Sequence, residues 1–287
     1  MFRYNVVFDP RGIIGDDWTQ NDDPYYGNSD VKGPRAGHGT MVAGNVAAVR
    51  GNGVGPDGVT SNAQLMILLV VPDGDERDKD VANAILYAVN NGASIINMSF
   101  GKGYSPQKHF VDSALRVANE HDVLIVHAAG NDGENVDVEV HYPSNFDENG
   151  NVINDKFIVV GASTNSAGKK LPASFSNYGK KSVDIFSPGQ DIYSCAPGNK
   201  YESASGTSMA SPVATGVATI IRAYFPELTA KEVKEILLES AVKYDRKVLV
   251  PGGSKKKVSF SELSVTGGVI NAYNAVKMAQ ERVNAKH

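Results

Sequence analysis

The chain has 287 residues, 41% hydrophobic and 21% charged, so it can form one large or two small globular domains with an ordinary core. Its formal net charge of −4 gives no electrostatic reason to expect nucleic acid or an anionic membrane as a partner. The single cysteine, Cys195, excludes an intrachain disulfide, and no apolar run approaches the ~18 residues of a membrane span.

The first predicted element is a helix over the sequence HGTMVAGNVAAVRGNG. It begins near His38 and is expected to end at Gly51 or Gly53. Small apolar residues fill it and charge is almost absent, so we expect it to be buried. The residues before it, which open with MFRYNVVFDPRG, lack the basic segment and apolar stretch of a signal peptide.

Predicted strands and helices alternate from residue 63 to residue 131. The sequence AQLMILLVV, residues 63–71, has the length and continuous apolarity of a strand buried on both faces. SIINMSFG and VLIVHAAGN predict two more strands, each preceded by a segment with apolar residues at helical spacing. This order predicts an α/β fold with a doubly wound, mostly parallel sheet and helices on both faces.

The second half of the chain continues the pattern. DKFIVVGAS and VDIFSPG predict strands, and SMASPVATGVATIIRAYFP predicts a buried helix that begins near Ser208. Pro212 is compatible with that helix because it lies in the first turn. Thr229 is expected to cap an amphipathic helix, Lys255–Lys257 to lie in a solvated loop or hairpin, and GGVINAYNAVKMAQERV to form a terminal helix.

Ser208 is the first candidate for chemistry, because the stretch SASGTSMASP lies before a buried helix. A serine hydroxyl becomes a nucleophile only when a base removes its proton. Taken alone, Ser208 is better explained as a helix cap, because serine is a favoured residue at that position.

A base for Ser208 must be one of the histidines. His38 opens a helix of small residues between two glycines, whereas the others have surface, core or terminal positions. Asn131 follows a predicted strand, and its amide could donate a hydrogen bond to a developing oxyanion. Parallel sheets collect such residues beyond the carboxyl ends of their strands, so we expect these candidates to meet.

Several motifs together resemble the subtilisin-like serine proteases (subtilases, peptidase S8). They are GHGTMVAG, AAGND, SFSNYG, GTSMASP and GGVINAYNAV, which extend from about His38 to the last helix. The resemblance implies a three-layer fold, Ser208 as nucleophile, His38 as general base and Asn131 as oxyanion donor. It implies one substrate-pocket wall formed by Ser99, Phe100 and Gly101, and an opposite wall formed by Ala128, Ala129 and Gly130. His141 falls where the family closes the pocket floor and is expected to narrow it.

The resemblance also implies a polypeptide substrate, no cofactor, a bacterial source and export of the full-length protein. Many subtilases carry structural calcium, but the sequence assigns no ligands for it here, and no metal-site motif is present. Oligomeric state is not implied by any motif.

A subtilase triad also needs an aspartate at the end of the first strand, and no matching motif precedes His38. We therefore interpret residues 1–37 as the end of an insertion before the histidine motif, and residues 38–287 as a single peptidase domain. The triad aspartate is then expected outside this chain, with Asp9 as the alternative candidate. A catalytically impaired subtilase that binds peptides without cleaving them is the rival interpretation. An α/β-hydrolase is rejected, since only His287 follows the serine.

Overall fold

The computed structural model describes residues 16–17, 19–21, 26–33, 36–71 and 74–286. The helices are α1 (Gly37–Ala47), α2 (Asp78–Asn90), α3 (Lys108–Glu120), α4 (Thr207–Tyr224), α5 (Ala230–Glu239) and α6 (Ala272–Asn284), with a 3-10 turn at Phe260–Glu262. The strands are β1 (Ile95–Met98), β2 (Leu124–Ala128), β3 (Phe157–Ser163), β4 (Ile185–Pro188), β5 (Ile192–Ala196), β6 (Lys200–Ala204), β7 (Val242–Lys243), β8 (Lys247–Leu249), β9 (Lys257–Ser259) and β10 (Gly268–Val269).

The main sheet has the strand order β1-β2-β3-β4-β10-β7. Strands β1, β2, β3, β4 and β10 are parallel, and β7 pairs antiparallel with β10 at one edge. Parallel neighbours require crossover connections; α3 lies in the connection from β1 to β2, and α4 and α5 lie in the connection from β4 to β10. The predicted mostly parallel α/β sheet is confirmed.

Helices cover both faces of this sheet. Because side chains alternate along a strand, Leu124 and Val126 of β2 point to one face and Ile125 to the other. Leu124 and Val126 belong to a core that includes apolar side chains of α4, α5 and α6. Ile125 belongs to a second core shared with α2 and α3. The three-layer arrangement places the ends of β1 and β2 beside the beginning of α4.

The prediction of a buried strand at residues 63–71 is wrong. The described segment has no regular structure, and four large side chains are between 41% and 54% exposed: Leu65, Met66, Ile67 and Leu69. An extended chain becomes a sheet strand only when a neighbour satisfies its backbone N–H and C=O groups. Among the described residues, no strand pairs with this segment.

The first predicted helix is shorter and less buried than expected. It ends at Ala47 because Ala48 turns to an extended conformation, and Gly58 then donates to the Ala48 carbonyl. Its buried residues are Gly44, Asn45 and Val46, which face α4 and β5. The described residues leave the other side of α1 open. The lack of charged residues in its sequence was therefore not sufficient to predict that the whole helix is buried.

The remaining elements follow the sequence closely. Helix α4 begins within one residue of its predicted start, and Thr229 caps α5 through a reciprocal bond with Glu232. Strands β8 and β9 form the hairpin that carries the exposed Lys255–Lys257. None of the helices in the described ranges combines the length and apolarity that a bilayer crossing requires.

Candidate active site

A cavity of about 570 Å³ opens where β1 and β2 end and α4 begins. The predicted site residues that line it are His38, Ser99, Phe100, Gly101, Ala128, Gly130, Asn131 and Ser208. Ala129 is the exception, since it is 3% exposed and lines a neighbouring cavity instead. Segments far apart in the sequence therefore meet at one site, at the sheet edge where loop chemistry is expected.

Ser208 lies in the first turn of α4, where backbone amides have no helical partners and can bind an anion. Ser99 Oγ donates to the Ser208 carbonyl over 3.0 Å. The hydroxyls of Ser211 and Thr215 both donate to Asn97 Oδ1, at 2.8 and 2.9 Å. These bonds hold the beginning of α4 against the end of β1 and fix the position of the serine.

The side-chain amide of Asn131 is oriented by its neighbour in space, Thr207. Asn131 Oδ1 accepts hydrogen bonds from Thr207 N at 2.8 Å and from Thr207 Oγ1 at 3.0 Å. Thr207 Oγ1 in turn accepts from Gly130 N at 3.1 Å. With its oxygen occupied, Asn131 is left with an Nδ2 group that has no hydrogen-bond partner in the described part of the chain. That group is available to a ligand in the cavity.

Gly206 keeps the space beside these groups open. A Cβ atom at this position would lie 2.9 Å from Ser208 Oγ and 3.5 Å from Asn131 Nδ2. The backbone there is extended, with φ 165°, so conformation alone does not require glycine. The requirement is the free volume between the serine hydroxyl and the asparagine amide.

His38 lies in the first turn of α1 and is exposed at the cavity rim. Desolvation by the protein around its ring lowers the pKa of the imidazole below its ordinary value of 6.5. A neighbouring carboxylate would act in the opposite direction, and among the described residues none pairs with His38. Asp75 lines the same cavity but forms no ion pair with the ring. Asp9, the alternative triad candidate, lies outside the described residues.

His127 is a core residue as predicted, but its ring also forms part of the cavity wall. It is 3% exposed, and its Nδ1 donates to the Met98 carbonyl over 3.2 Å. Burial lowers the pKa of His127 to about 4, so the ring is neutral at pH 7. Nε2 then carries a lone pair and has no hydrogen-bond partner among the residues that the structure describes.

Asp132, Glu134 and His141 form a cluster on the cavity rim. His141 Nε2 lies 3.4 Å from a Glu134 oxygen and 3.7 Å from an Asp132 oxygen. The buried Asn177 fixes this loop, because its Oδ1 accepts from the amides of Asp132 at 3.0 Å and Glu134 at 2.9 Å. One ligand atom from each member of the cluster lies within 4.8 Å of the others. Calcium takes six to eight oxygen ligands, so this mixed set with an imidazole nitrogen does not fit it.

The sequence motifs did not single out several residues that line or shape this site. Gly206 and Thr207 lie within the motif GTSMASP and Asp132 lies within AAGND, but the motifs assigned them no role. Asp75, Lys102 and Glu134 come from loops whose charges resembled an ordinary solvated surface. For those three, the only available signal was their position after a predicted strand or before a predicted helix.

Comparison of the sequence with known proteins identifies a family and several relatives. A model of the subtilase family matches residues 9–267. The cell wall-associated protease of Bacillus subtilis (strain 168) is 36% identical over 238 residues, which cover 83% of this chain and 24% of that protein. The major intracellular serine protease of the same strain is 34% identical over 227 residues, covering 78% of this chain and 66% of that protein. This chain thus spans only part of the first relative.

Solved structures show the same likeness. A mutant of the protease domain of PatA superposes with a TM-score of 0.68 at 26% identity, covering 89% of this chain and 84% of that one. The parallel three-layer fold, with a serine at the head of a buried helix and an asparagine amide beside it, defines a subtilisin-like α/β protein. The family match covers most of the sequence, and the chain belongs to the subtilase family, peptidase S8.

Proposed function

We propose that this chain is a serine endopeptidase that hydrolyses peptide bonds of a polypeptide substrate through an acyl-enzyme on Ser208. The observation that carries the proposal is the placement of Ser208, His38 and Asn131 around one cavity in a member of the subtilase family. The proposed chemistry uses side chains and backbone amides and calls on no cofactor.

In the first half of the reaction, Ser208 Oγ attacks the scissile carbonyl carbon while His38 accepts the hydroxyl proton. The carbonyl oxygen gains the negative charge and accepts hydrogen bonds from Asn131 Nδ2 and the Ser208 amide. His38 then gives its proton to the leaving amine as the C–N bond breaks. In the second half, water repeats the attack on the acyl-enzyme and restores the serine.

The orientation of Asn131 supports this proposal. Thr207 occupies the asparagine oxygen, so the donor group rather than the acceptor is available where negative charge would develop. The lowered pKa of His38 also supports it, because the ring is a neutral acceptor at neutral pH.

A fluorophosphonate probe tests the proposal, because it reacts covalently only with an activated serine. We expect mass spectrometry to place the adduct on Ser208 and the labelling to disappear in Ser208→Ala. Ser203→Ala, an exposed serine of the same stretch, serves as the matched control and should label normally. A folded chain that takes no probe at any pH would refute the proposed activity.

A second candidate function is peptide binding without cleavage. It is favoured by one observation: within the described ranges, no carboxylate pairs with His38, and a triad histidine that lacks its acid loses about 10⁴ in turnover. Retained binding of peptides, together with absent probe labelling, would support this candidate over the protease.

Export of the full-length protein remains a prediction. One of the compared relatives is named as cell wall-associated and the other as intracellular, so the names of relatives point in both directions. Fractionation of the source cells, followed by immunodetection, distinguishes an exported from a retained protein.

A further inference from the structure

Among the described residues that line it, the cavity beside Ser208 carries an excess of negative charge. Asp75, Asp132 and Glu134 line it, and all of them are exposed. Lys102 also lines it, but its ammonium group lies 2.8 Å from Asp78 and donates to a backbone carbonyl at 2.7 Å. Both side chains of that pair are nearly buried, so the Lys102 charge is already matched outside the cavity.

The histidines of the cavity do not restore neutrality. The pKa of His38 and that of His127 are both lowered by desolvation, so both rings are neutral at pH 7. His141 lies between Asp132 and Glu134, where even a protonated ring supplies one positive charge against two negative ones.

Inside the cavity, His127 presents an unused hydrogen-bond acceptor. His127 is 3% exposed, and because its Nδ1 donates to the Met98 carbonyl, the lone pair of the neutral ring lies on Nε2. The ring reaches the wall opposite β2, since Nε2 lies 3.8 Å from the position of a Cβ atom on Gly101. An acceptor on the cavity wall that has no partner among the described residues favours a ligand that brings N–H groups.

The loop that carries Asp132 and Glu134 is held in place by hydrogen bonds. Asn177 is fully buried, accepts from the amides of Asp132 and Glu134, and donates to the Ala129 carbonyl at 3.0 Å. Across the cavity, Lys102 and Tyr142 exchange backbone hydrogen bonds of 2.8 and 3.0 Å, which tie one wall to the segment that carries His141. A rigid acidic rim lowers the ordering cost of binding a cation.

We infer that this cavity selects a lysine or arginine side chain at the substrate residue before the scissile bond. Asp132 and Glu134 face the cationic group, and His127 Nε2 accepts a hydrogen bond from one of its N–H groups. The inference rests on the proposed function for the register of the substrate, but the charge preference of the cavity is independent of catalysis.

Binding to the Ser208→Ala variant tests this preference without requiring turnover. The probes are acetyl-Ala-Ala-Ala-Xaa-amide peptides in which Xaa is lysine, arginine, norleucine or glutamate, with EDTA present to exclude bound metal. Norleucine matches the lysine stem without the ammonium group. We expect lysine and arginine peptides to bind at least tenfold more tightly than norleucine and the glutamate peptide to bind most weakly.

Removal of the rim charges provides the second arm. Asp132→Asn combined with Glu134→Gln should reduce the lysine preference to less than threefold and leave norleucine binding unchanged. Glu139→Gln, an exposed acid of the same segment that does not line the cavity, should retain the full preference.

Equal or tighter binding of norleucine in the parent variant overturns the inference, as does a lysine preference that survives loss of both rim charges. These failures are distinct from failure of the proposed activity. Probe labelling at Ser208 with a norleucine preference retains the protease and removes the inference, whereas a lysine preference without labelling does the reverse.

Discussion

At the scale of single residues, Asn131 and Thr207 act together. Thr207 holds the asparagine oxygen, and this contact leaves the Nδ2 group without any other described partner. The sequence motif identified Asn131 but not the residue that orients it, because a hydrogen bond between positions 131 and 207 depends on the fold.

Asn131→Ala is expected to lower kcat by roughly 10²–10³-fold, because one donor to the developing oxyanion is lost. Thr207→Val should cause a smaller loss, since the donor remains but its orientation is no longer fixed. Steady-state kinetics on a peptide ester measure both effects. If the valine variant lost as much activity as the alanine variant, Thr207 would have a role beyond orientation.

The pH dependence of probe labelling reports on His38. A protonated imidazole cannot accept the serine proton, so the labelling rate should rise with pH and reach a plateau. Because the pKa of His38 is lowered from 6.5, the midpoint is expected below pH 6.5. A midpoint well above this value would instead indicate that a carboxylate pairs with the ring.

The lowered pKa of His127 predicts that the folded chain loses stability as the pH falls. Its pKa is about 4 in the folded chain and near 6.5 when unfolded, so the unfolded state binds the proton first as pH falls. The stability present above pH 6.5 is therefore lost progressively towards pH 4, by up to about 3 kcal/mol. His127→Asn should flatten the urea-denaturation free energy between these pH values. Equal slopes for both proteins would contradict the assignment.

At the scale of elements, helix α1 is positioned by a close contact with β5. A Cβ atom on Gly44 would lie 2.6 Å from Ser194 Oγ and 2.9 Å from the Cys195 Cβ atom. Ser194 Oγ also donates to the Met41 carbonyl over 2.7 Å, which joins the two elements directly. This glycine therefore sets the distance between the helix that carries His38 and the hairpin behind it.

Gly44→Ala is expected to destabilise the fold by about 1–3 kcal/mol, because the added methyl group overpacks this contact. Gly39→Ala is the matched control, since a Cβ atom there meets nothing within 4 Å. Urea denaturation measures both variants. Because alanine has a higher helix propensity than glycine, Gly39→Ala should not destabilise the helix. Destabilisation of the same size by Gly39→Ala would contradict overpacking at Gly44 as the cause.

Helix and strand identities were predictable where local pattern and tertiary partner agree. The helix that begins at Ser208 and the helix capped by Thr229 both appear where the sequence places them. The segment 63–71 has an equally strong local pattern, yet it forms no strand, because a strand requires a neighbour that the pattern cannot supply.

At the scale of the whole molecule, β1 is an edge of the described sheet, and the exposed apolar segment 63–71 remains unpaired. Neither fact tests the triad aspartate, because Asp9 lies outside the described residues. The interpretation of residues 1–37 as the end of an insertion predicts little role for Asp9.

Asp9→Asn should leave both the labelling rate at Ser208 and its pH midpoint unchanged within about twofold, compared with a loss of about 10⁴ for a true triad aspartate. Stopped labelling reactions at several pH values measure this. A large loss in the variant would assign Asp9 to His38 and place the complete triad in this chain.

The sequence by itself determined the subtilase family, the α/β class and the cluster of His38, Asn131 and Ser208, because short motifs encode local geometry at helix and strand ends. Only the tertiary structure decided how Thr207 orients the asparagine, that His127 belongs to the cavity as well as the core, and that Asp132 and Glu134 share its rim with a paired Lys102. These properties depend on distances between segments remote in sequence, and on which charges are already neutralised by a neighbour.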